Sequence, residues 1–236
     1  VLSKAPKLFL IPSPLAPETA NEITLHLVKE ICRNLRYFLV ENERESRRFL
    51  SSLGMNVPIH ELHFAPLNKD TDEQELPTLL APMKEGFDMG VLSDAGCPGV
   101  ADPGSLAVAY AHKMRYQVMP LPGPSSILLA LMASGFNGQS FVFHGYLPLE
   151  KVERLKSIRR LESEAKGKQQ SQIFMETPYR NNALLEDLLK NCQPQTKLFI
   201  GAGITSKDAL IRTQSISEWK KGTPDLHKIP CIFILG

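Results

Sequence analysis

The chain has 236 residues, 43% of them apolar and 22% charged, with a net charge of +2. These are the proportions of a globular protein with enough chain for one large or two medium domains. So small a surplus of positive charge excludes a dedicated basic nucleic-acid-binding domain and leaves any RNA or DNA contact to a local patch. The apolar run Leu8 to Ile11 is only four residues long before prolines follow, so the expectation is no membrane span, no signal peptide and a cytoplasmic chain.

Lys7 to Ile11 reads as a central strand that ends in the tight loop Pro12-Ser13-Pro14-Leu15-Ala16-Pro17. Thr19 to Asn34 carries Ile23, Leu27, Val28 and Ile31 at helical spacing, and Arg36 to Val40 is the second strand. That strand runs into a charged helix start, residues 41–48, in which Glu43 and Arg47 stand one turn apart and can pair. Glu61 to Phe64 is a third strand. The polar break Asn68 to Asp72 caps a helix running through Glu85, with Leu76, Leu79, Leu80 and Met83 on one face.

Met89 to Leu92 is an apolar strand that stops in Ser93-Asp94-Ala95-Gly96-Cys97-Pro98-Gly99-Val100-Ala101-Asp102-Pro103-Gly104, twelve residues with three Gly, two Pro and two Asp. Plain strand-to-helix connections need only two to six residues. Glycine brings bare backbone groups within reach of a ligand, and proline limits the entropy lost on ordering. A helix, Ser105 to Met114, follows, so this loop sits where open α/β sheets bind ligands. Gln117 to Leu121 is another strand, closing in Pro122-Gly123-Pro124-Ser125-Ser126 and a helix from Ile127 to Ala133. Three strand-loop-helix units predict a mostly parallel sheet with flanking helices in the N-terminal domain, residues 1–122.

The C-terminal domain, 123–236, has five short strands, at 140–145, 172–175, 197–202, 210–215 and 231–235, but only two long helices, 151–164 and 181–191. More strands than crossovers predicts a mixed sheet with antiparallel pairs. Lys166-Gly167-Lys168-Gln169-Gln170 reads as a mobile surface loop. Between Lys151 and Lys168 seven Lys/Arg face three Glu. If they share a face they form a phosphate-tracking patch, and otherwise a solvated mixed-charge helix.

Cys32, Cys97, Cys192 and Cys231 are scattered without a CxxC pair and are expected to be free thiols. His60-Glu61-Leu62-His63 is one residue short of the zinc-protease spacing, so no metal is expected. Neither a phosphate-cradling Walker loop nor a nucleophile elbow occurs. Gly201-Ala202-Gly203 lacks the third glycine of a dinucleotide fingerprint. Loops with few acids, bases or nucleophiles suit a reaction in which a cofactor carries the chemistry and the protein supplies position.

Four motifs in order, Ser93 to Gly104, Pro120-Leu121-Pro122-Gly123-Pro124-Ser125, Phe143-His144-Gly145-Tyr146-Leu147-Pro148 and Glu176-Thr177-Pro178-Tyr179-Arg180, resemble the tetrapyrrole methylase superfamily. Their spacing is most similar to its ribosomal RNA small-subunit methyltransferase I branch, which methylates a ribose 2′-hydroxyl of cytidine. The resemblance covers nearly the whole chain. It implies a two-domain α/β methyltransferase, a homodimer, holding S-adenosylmethionine in a cleft between domains. On these motifs Pro12, Asp94, Gly96, Cys97, Ser125 and Ser126 line the cofactor from the N-terminal side, and Met175, Ala202 and Pro230 complete the adenosine pocket. Ser125 and Ser126 also read as helix caps. Glu41 and Arg44 match the acidic loop facing the acceptor, and Asn42 stands where the branch has aspartate.

The chain departs from the branch at Ala202 to Leu210, where only Thr205 of an Arg-Glu-Leu-Thr-Lys element remains, and at Pro12 to Pro17, where the branch has a Gly-Asn-Leu ending. Three readings stay open: a methyltransferase acting on ribosomal RNA, one acting on a tetrapyrrole or other small molecule, and a non-catalytic relative that binds the cofactor or a partner.

Overall fold

The computed structural model describes residues 5–236, which divide into two compact units, 5–125 and 126–236. In the first, β1 (Lys7–Ile11), β2 (Tyr37–Val40), β3 (His63–Pro66), β4 (Met89–Leu92) and β5 (Gln117–Pro120) form one sheet in the order β3-β2-β4-β1-β5. Every neighbouring pair is parallel. Side chains alternate across this sheet, and both faces are covered. Phe9, Ile11, Phe38, Val40 and Leu92 pack with residues of α1 (Ala20–Ile23), α2 (His26–Asn34) and α3 (Glu43–Ser52). Leu8, Leu39, Met89 and Val91 pack on the other side with α4 (Leu76–Leu79), α5 (Ala81–Lys84) and α6 (Gly104–Lys113).

The unit is therefore doubly wound, and β4 occupies a special place in it. Its neighbours β1 and β2 send their loops to helices on one face, whereas β4 sends its own to α6 on the other. Crevices at such reversals are where open α/β sheets take their ligands, and the loop after β4 has one on each side.

The second unit is mixed, as its strand count predicts. Its strands β6 (Phe141–Tyr146), β7 (Ser171–Glu176), β8 (Lys197–Ala202), β9 (Leu210–Ser215) and β10 (Cys231–Leu235) lie in the order β6-β7-β10-β8-β9. Only β6 and β7 are parallel. One face is covered by α7 (Ser126–Ser134), the other by α8 (Lys151–Lys168), α9 (Asn181–Asn191) and α10 (Ile216–Trp219). Among the described residues no helix is long and apolar enough to cross a membrane.

Four local expectations are corrected. The helix over 19–34 is broken by the extended backbone of Thr24 and Leu25. Val28 and Cys32 are buried on α2 while Leu27 is exposed. The helix ending at Glu85 is a capped single turn followed by two short helices, because Pro77 and Pro82 each begin a new turn and supply no N–H to the one before. Residues 166–168 are not loop: α8 continues to Lys168 and stops at Gln169, which has φ +49°. Lys166 and Lys168 complement the carboxyl end of the helix dipole, and one interior glycine costs only about 1 kcal/mol.

The basic surplus of α8 does not form a single phosphate-tracking face. Arg154 turns inward onto Asp187 at 2.8 Å, Lys156 pairs with Glu153, and Arg160 and Lys168 both pair with Glu164.

Candidate functional site

The loops at the carboxyl ends of β1, β4 and β5 are tied together. Ser13 and Gly96 exchange two backbone hydrogen bonds, of 2.9 and 3.0 Å, and Gly96 adopts φ +78°, a left-handed conformation that most residues resist. Ser93 Oγ donates to the Gly96 carbonyl at 3.2 Å. Cys97 Sγ lies 3.4 Å from the carbonyl oxygen of Pro124. Gly123 passes so close to Pro12 that a Cβ there would stand 2.3 Å from the proline ring. The first unit thus gathers Pro12, Gly96, Cys97 and the approach to Ser125, while Ser126 opens α7 in the second unit.

Asp102 holds the far half of the loop. One carboxylate oxygen accepts from the Gly99 and Gly104 amides at 2.6 and 2.7 Å, closing the loop onto the start of α6. Its other oxygen is buried and has no partner. Sequence reasoning did not single out Asp102, although an Asp-Pro-Gly run before a helix is a turn-and-cap signal.

Glu41, Asp94 and Glu45 collect at the crevice beside β2. The Asp94 amide donates to Glu41 Oε2 at 3.4 Å. Partial burial pushes the Asp94 carboxyl above its ordinary range, and the charges of Glu45 and Asp102 push the same way against a hydrogen bond from the Asn42 amide. Partial burial also raises the Glu41 carboxyl, opposed by the Asp94 amide and supported by the charges of Asp94 and Asp102. Among the described residues neither carboxylate has a cationic partner within 4.0 Å. A cavity of about 180 Å³ opens beside them, lined in part by Ser13, Glu45, Ser93 and Asp94.

Asn42 caps α3, its side-chain oxygen accepting from the Arg44 and Glu45 amides at 3.0 and 3.3 Å. An aspartate there would do the same work, so this departure from the expected motif leaves the local structure intact. Arg44 is exposed on the first turn of α3, and among the described residues its guanidinium has no ion-pair partner.

In the second unit Met175, Ala202 and Pro230 lie at one end of three adjacent strands. Met175 is in register with Ile232, and Ala202 with Cys231. The Gly203 amide donates to the Pro230 carbonyl at 2.9 Å. Their side chains do not converge, however. Met175 packs on the α7 face and Ala202 on the face of α8 and α9. A ligand at this strand end that touches both would meet one of them through backbone. Beyond Ala202 the turn is strained: Thr205, a β-branched residue, has φ +77°, and its hydroxyl is buried without a partner.

Comparison with known proteins places this geometry in context. Residues 19–219 match the profile of the tetrapyrrole (corrin/porphyrin) methylases. The ribosomal RNA small subunit methyltransferase I of Escherichia coli O157:H7 is 29% identical over 183 residues, covering 78% of this chain, and the chain spans 60% of that relative's length. The methyltransferase CobJ superposes with a TM-score of 0.63 at 17% identity, over 99% of this chain and 94% of CobJ. The uroporphyrin-III C-methyltransferase of Thermus thermophilus, solved with S-adenosylhomocysteine, gives 0.58 at 15% identity, over 98% and 97%.

Proposed function

This chain belongs to the tetrapyrrole (corrin/porphyrin) methylase family, and from that premise we propose that it is an S-adenosylmethionine-dependent methyltransferase acting on a ribose 2′-oxygen of small-subunit ribosomal RNA. The observation that carries the reading is the pair Glu41 and Asp94. Two carboxylates with raised pKa and, among the described residues, no cation beside them, at the crevice of a doubly wound sheet, fit a positively charged ligand. When bound, S-adenosylmethionine supplies an electrophilic methyl group on a positively charged sulfur.

In this proposal the first unit holds the cofactor through Pro12, Asp94, Gly96, Cys97 and Ser125. The second contributes Ser126, Met175, Ala202 and Pro230. Backbone groups of the knitted loop fix position, and alignment of acceptor and donor accounts for much of the rate. Glu41, whose carboxyl partial burial raises above its ordinary range, accepts the proton of the acceptor hydroxyl. The unpaired guanidinium of Arg44 orients the acceptor's phosphate. The relatives' name supports ribosomal RNA as acceptor. A cytoplasmic homodimer completes the reading.

Calorimetric titration with S-adenosylmethionine and S-adenosylhomocysteine tests the cofactor site. Micromolar binding that Asp94→Ala weakens tenfold or more, about 1.4 kcal/mol, is expected. Absence of binding by the unaltered chain sinks the proposal. Transfer of labelled methyl to small-subunit RNA, with none to uroporphyrinogen, tests the acceptor, and light scattering reads the dimer.

A further inference from the structure

Where β7 meets α9, the chain displays an aromatic ring that no part of the core needs. Thr177 to Arg180 form a tight turn closed by the Arg180 amide on the Thr177 carbonyl at 2.9 Å, and Tyr179 at its tip is 70% exposed. Lys228 Nζ lies over the ring, 5.9 Å from its centroid, and the His227 ring meets it edge-on at 5.9 Å.

The support beneath this ring is rigid. The Lys228 amide donates to the Pro178 carbonyl at 3.0 Å, with Lys228 held at φ +63°. Asn182 donates to Asp225 at 2.7 Å and accepts from the Leu226 amide at 2.8 Å. The buried Asn181 donates to the Ile229 carbonyl at 2.6 Å. The turn bearing His227 and Lys228 is thus joined by one hydrogen bond to the turn bearing Tyr179 and by three to Asn181 and Asn182 at the start of α9. Oδ1 of Asp225 accepts from Asn182 and the His227 amide, and Oε1 of Glu176 from Arg180 and the Thr177 amide. A second ring stands at the same end of the sheet: Tyr146, 56% exposed, is in register with Met175, one residue before the end of β7.

We propose that the face of Tyr179 turned away from Lys228 is a stacking platform for an unpaired base of a single-stranded RNA, and that Tyr146 extends it. Base stacking on aromatic rings together with a cation for the phosphate is how sequence-tolerant single-strand binding is built. The backbone turn that carries the ring is already held in place and loses little freedom when the base arrives. The platform lies at the strand end that carries Met175, Ala202 and Pro230. The proposal rests on the RNA reading given above and names a place where such an acceptor is gripped.

Fluorescence anisotropy on the full chain tests it, with a labelled oligocytidylate of about a dozen nucleotides and an abasic ribose-phosphate oligomer of equal length. Tyr179→Ala is expected to weaken the oligocytidylate roughly five- to a hundredfold and to leave the abasic oligomer unchanged. Tyr179→Phe, which keeps the ring, is expected to match the unaltered chain. Unchanged binding of S-adenosylhomocysteine shows that Tyr179→Ala is folded. The platform is refuted if the unaltered chain does not bind oligocytidylate, if Tyr179→Ala binds it normally, or if both oligomers weaken together. A change in oligomeric state with Tyr179→Ala assigns the ring to a contact between copies and refutes it too. Methyl transfer to RNA that is indifferent to Tyr179 removes the platform alone. A ring that grips RNA in a chain that transfers no methyl removes the methyltransferase reading and leaves the platform standing.

Discussion

At the scale of single residues, the crevice beside β2 trades stability for charge. The Asp94 carboxyl is raised, so the folded chain binds its proton more tightly than the unfolded chain does, and stability falls as pH rises from the ordinary aspartate range through the raised value. The penalty is absent below about pH 4 and grows as pH rises through the raised value. Asp94→Asn is therefore expected to melt at a higher temperature than the unaltered chain at pH 7, with the advantage gone in acid, while binding S-adenosylmethionine less well. Thermal melts across pH read this directly, and a melting temperature lowered at pH 7 contradicts it. Cys97 offers a second reading of the same loop. The thiols of Cys32, Cys192 and Cys231 are buried and pushed up to about 12, whereas Cys97 is half-buried and less perturbed. In the native chain one thiol is expected to react with Ellman's reagent. Cys97→Ser should abolish that reaction and S-adenosylhomocysteine should slow it. Several fast-reacting thiols, or no protection by the ligand, would speak against the assigned site.

At the scale of elements, α8 shows how a charge count misleads. Its most buried cation, Arg154, is joined to Asp187 of α9 at 2.8 Å and also donates to the Leu149 carbonyl at 2.8 Å. Removing one partner leaves the other charged group unpaired, so Asp187→Ala is expected to lower stability by about 3–5 kcal/mol. Replacing both with apolar residues of similar size should lose much less. Urea unfolding of the single and double variants measures the difference, and equal losses would show that the pair acts only through packing. Asn42 illustrates the reverse case: the sequence reading noted it only as a replacement for aspartate, and the structure shows that it caps α3. What the pattern did not reveal was which prolines tolerated at a helix start would instead divide the helix, as Pro77 and Pro82 do. That depends on whether an N–H is needed one turn earlier, and spacing alone does not say.

At the scale of the whole molecule, the sequence disclosed the strand and loop order of both units because turn chemistry punctuates it so densely. The mixed character of the second sheet followed from too few crossovers. The candidate site was legible where it is backbone: the loop after β4, with Gly96 and Cys97, stood out as a run of glycine and proline. It was not legible where it depends on strand parity. In a sheet covered on both faces the middle positions of a strand are all apolar, as Ile173 to Met175 and Leu198 to Ile200 are, so nothing in those runs told that Met175 and Ala202 face opposite ways. Nor could a linear reading place Glu45 near Asp94, since that pairing is made by β2 and β4 lying side by side. Each unit has its own covered sheet, and native-state hydrogen exchange is accordingly expected to show two separate slow cores, one in β4 and β1 and one in β10, β7 and β8. Slow amides confined to one unit would contradict this.

The position of β4 between β1 and β2 also has a consequence for synthesis on the ribosome. When Val40 has emerged, two apolar strands exist that cannot pair with each other, because the strand that belongs between them is not made until Leu92, about fifty residues later. At cellular elongation rates that is roughly 3–10 s during which both bare edges are open to wrong partners or to a chaperone. The residues that end this wait are followed at once by the loop of the candidate site. A nascent chain therefore joins the first four strands of its sheet and begins to shape its binding loop in the same stretch of translation, with β5 left to add at the edge.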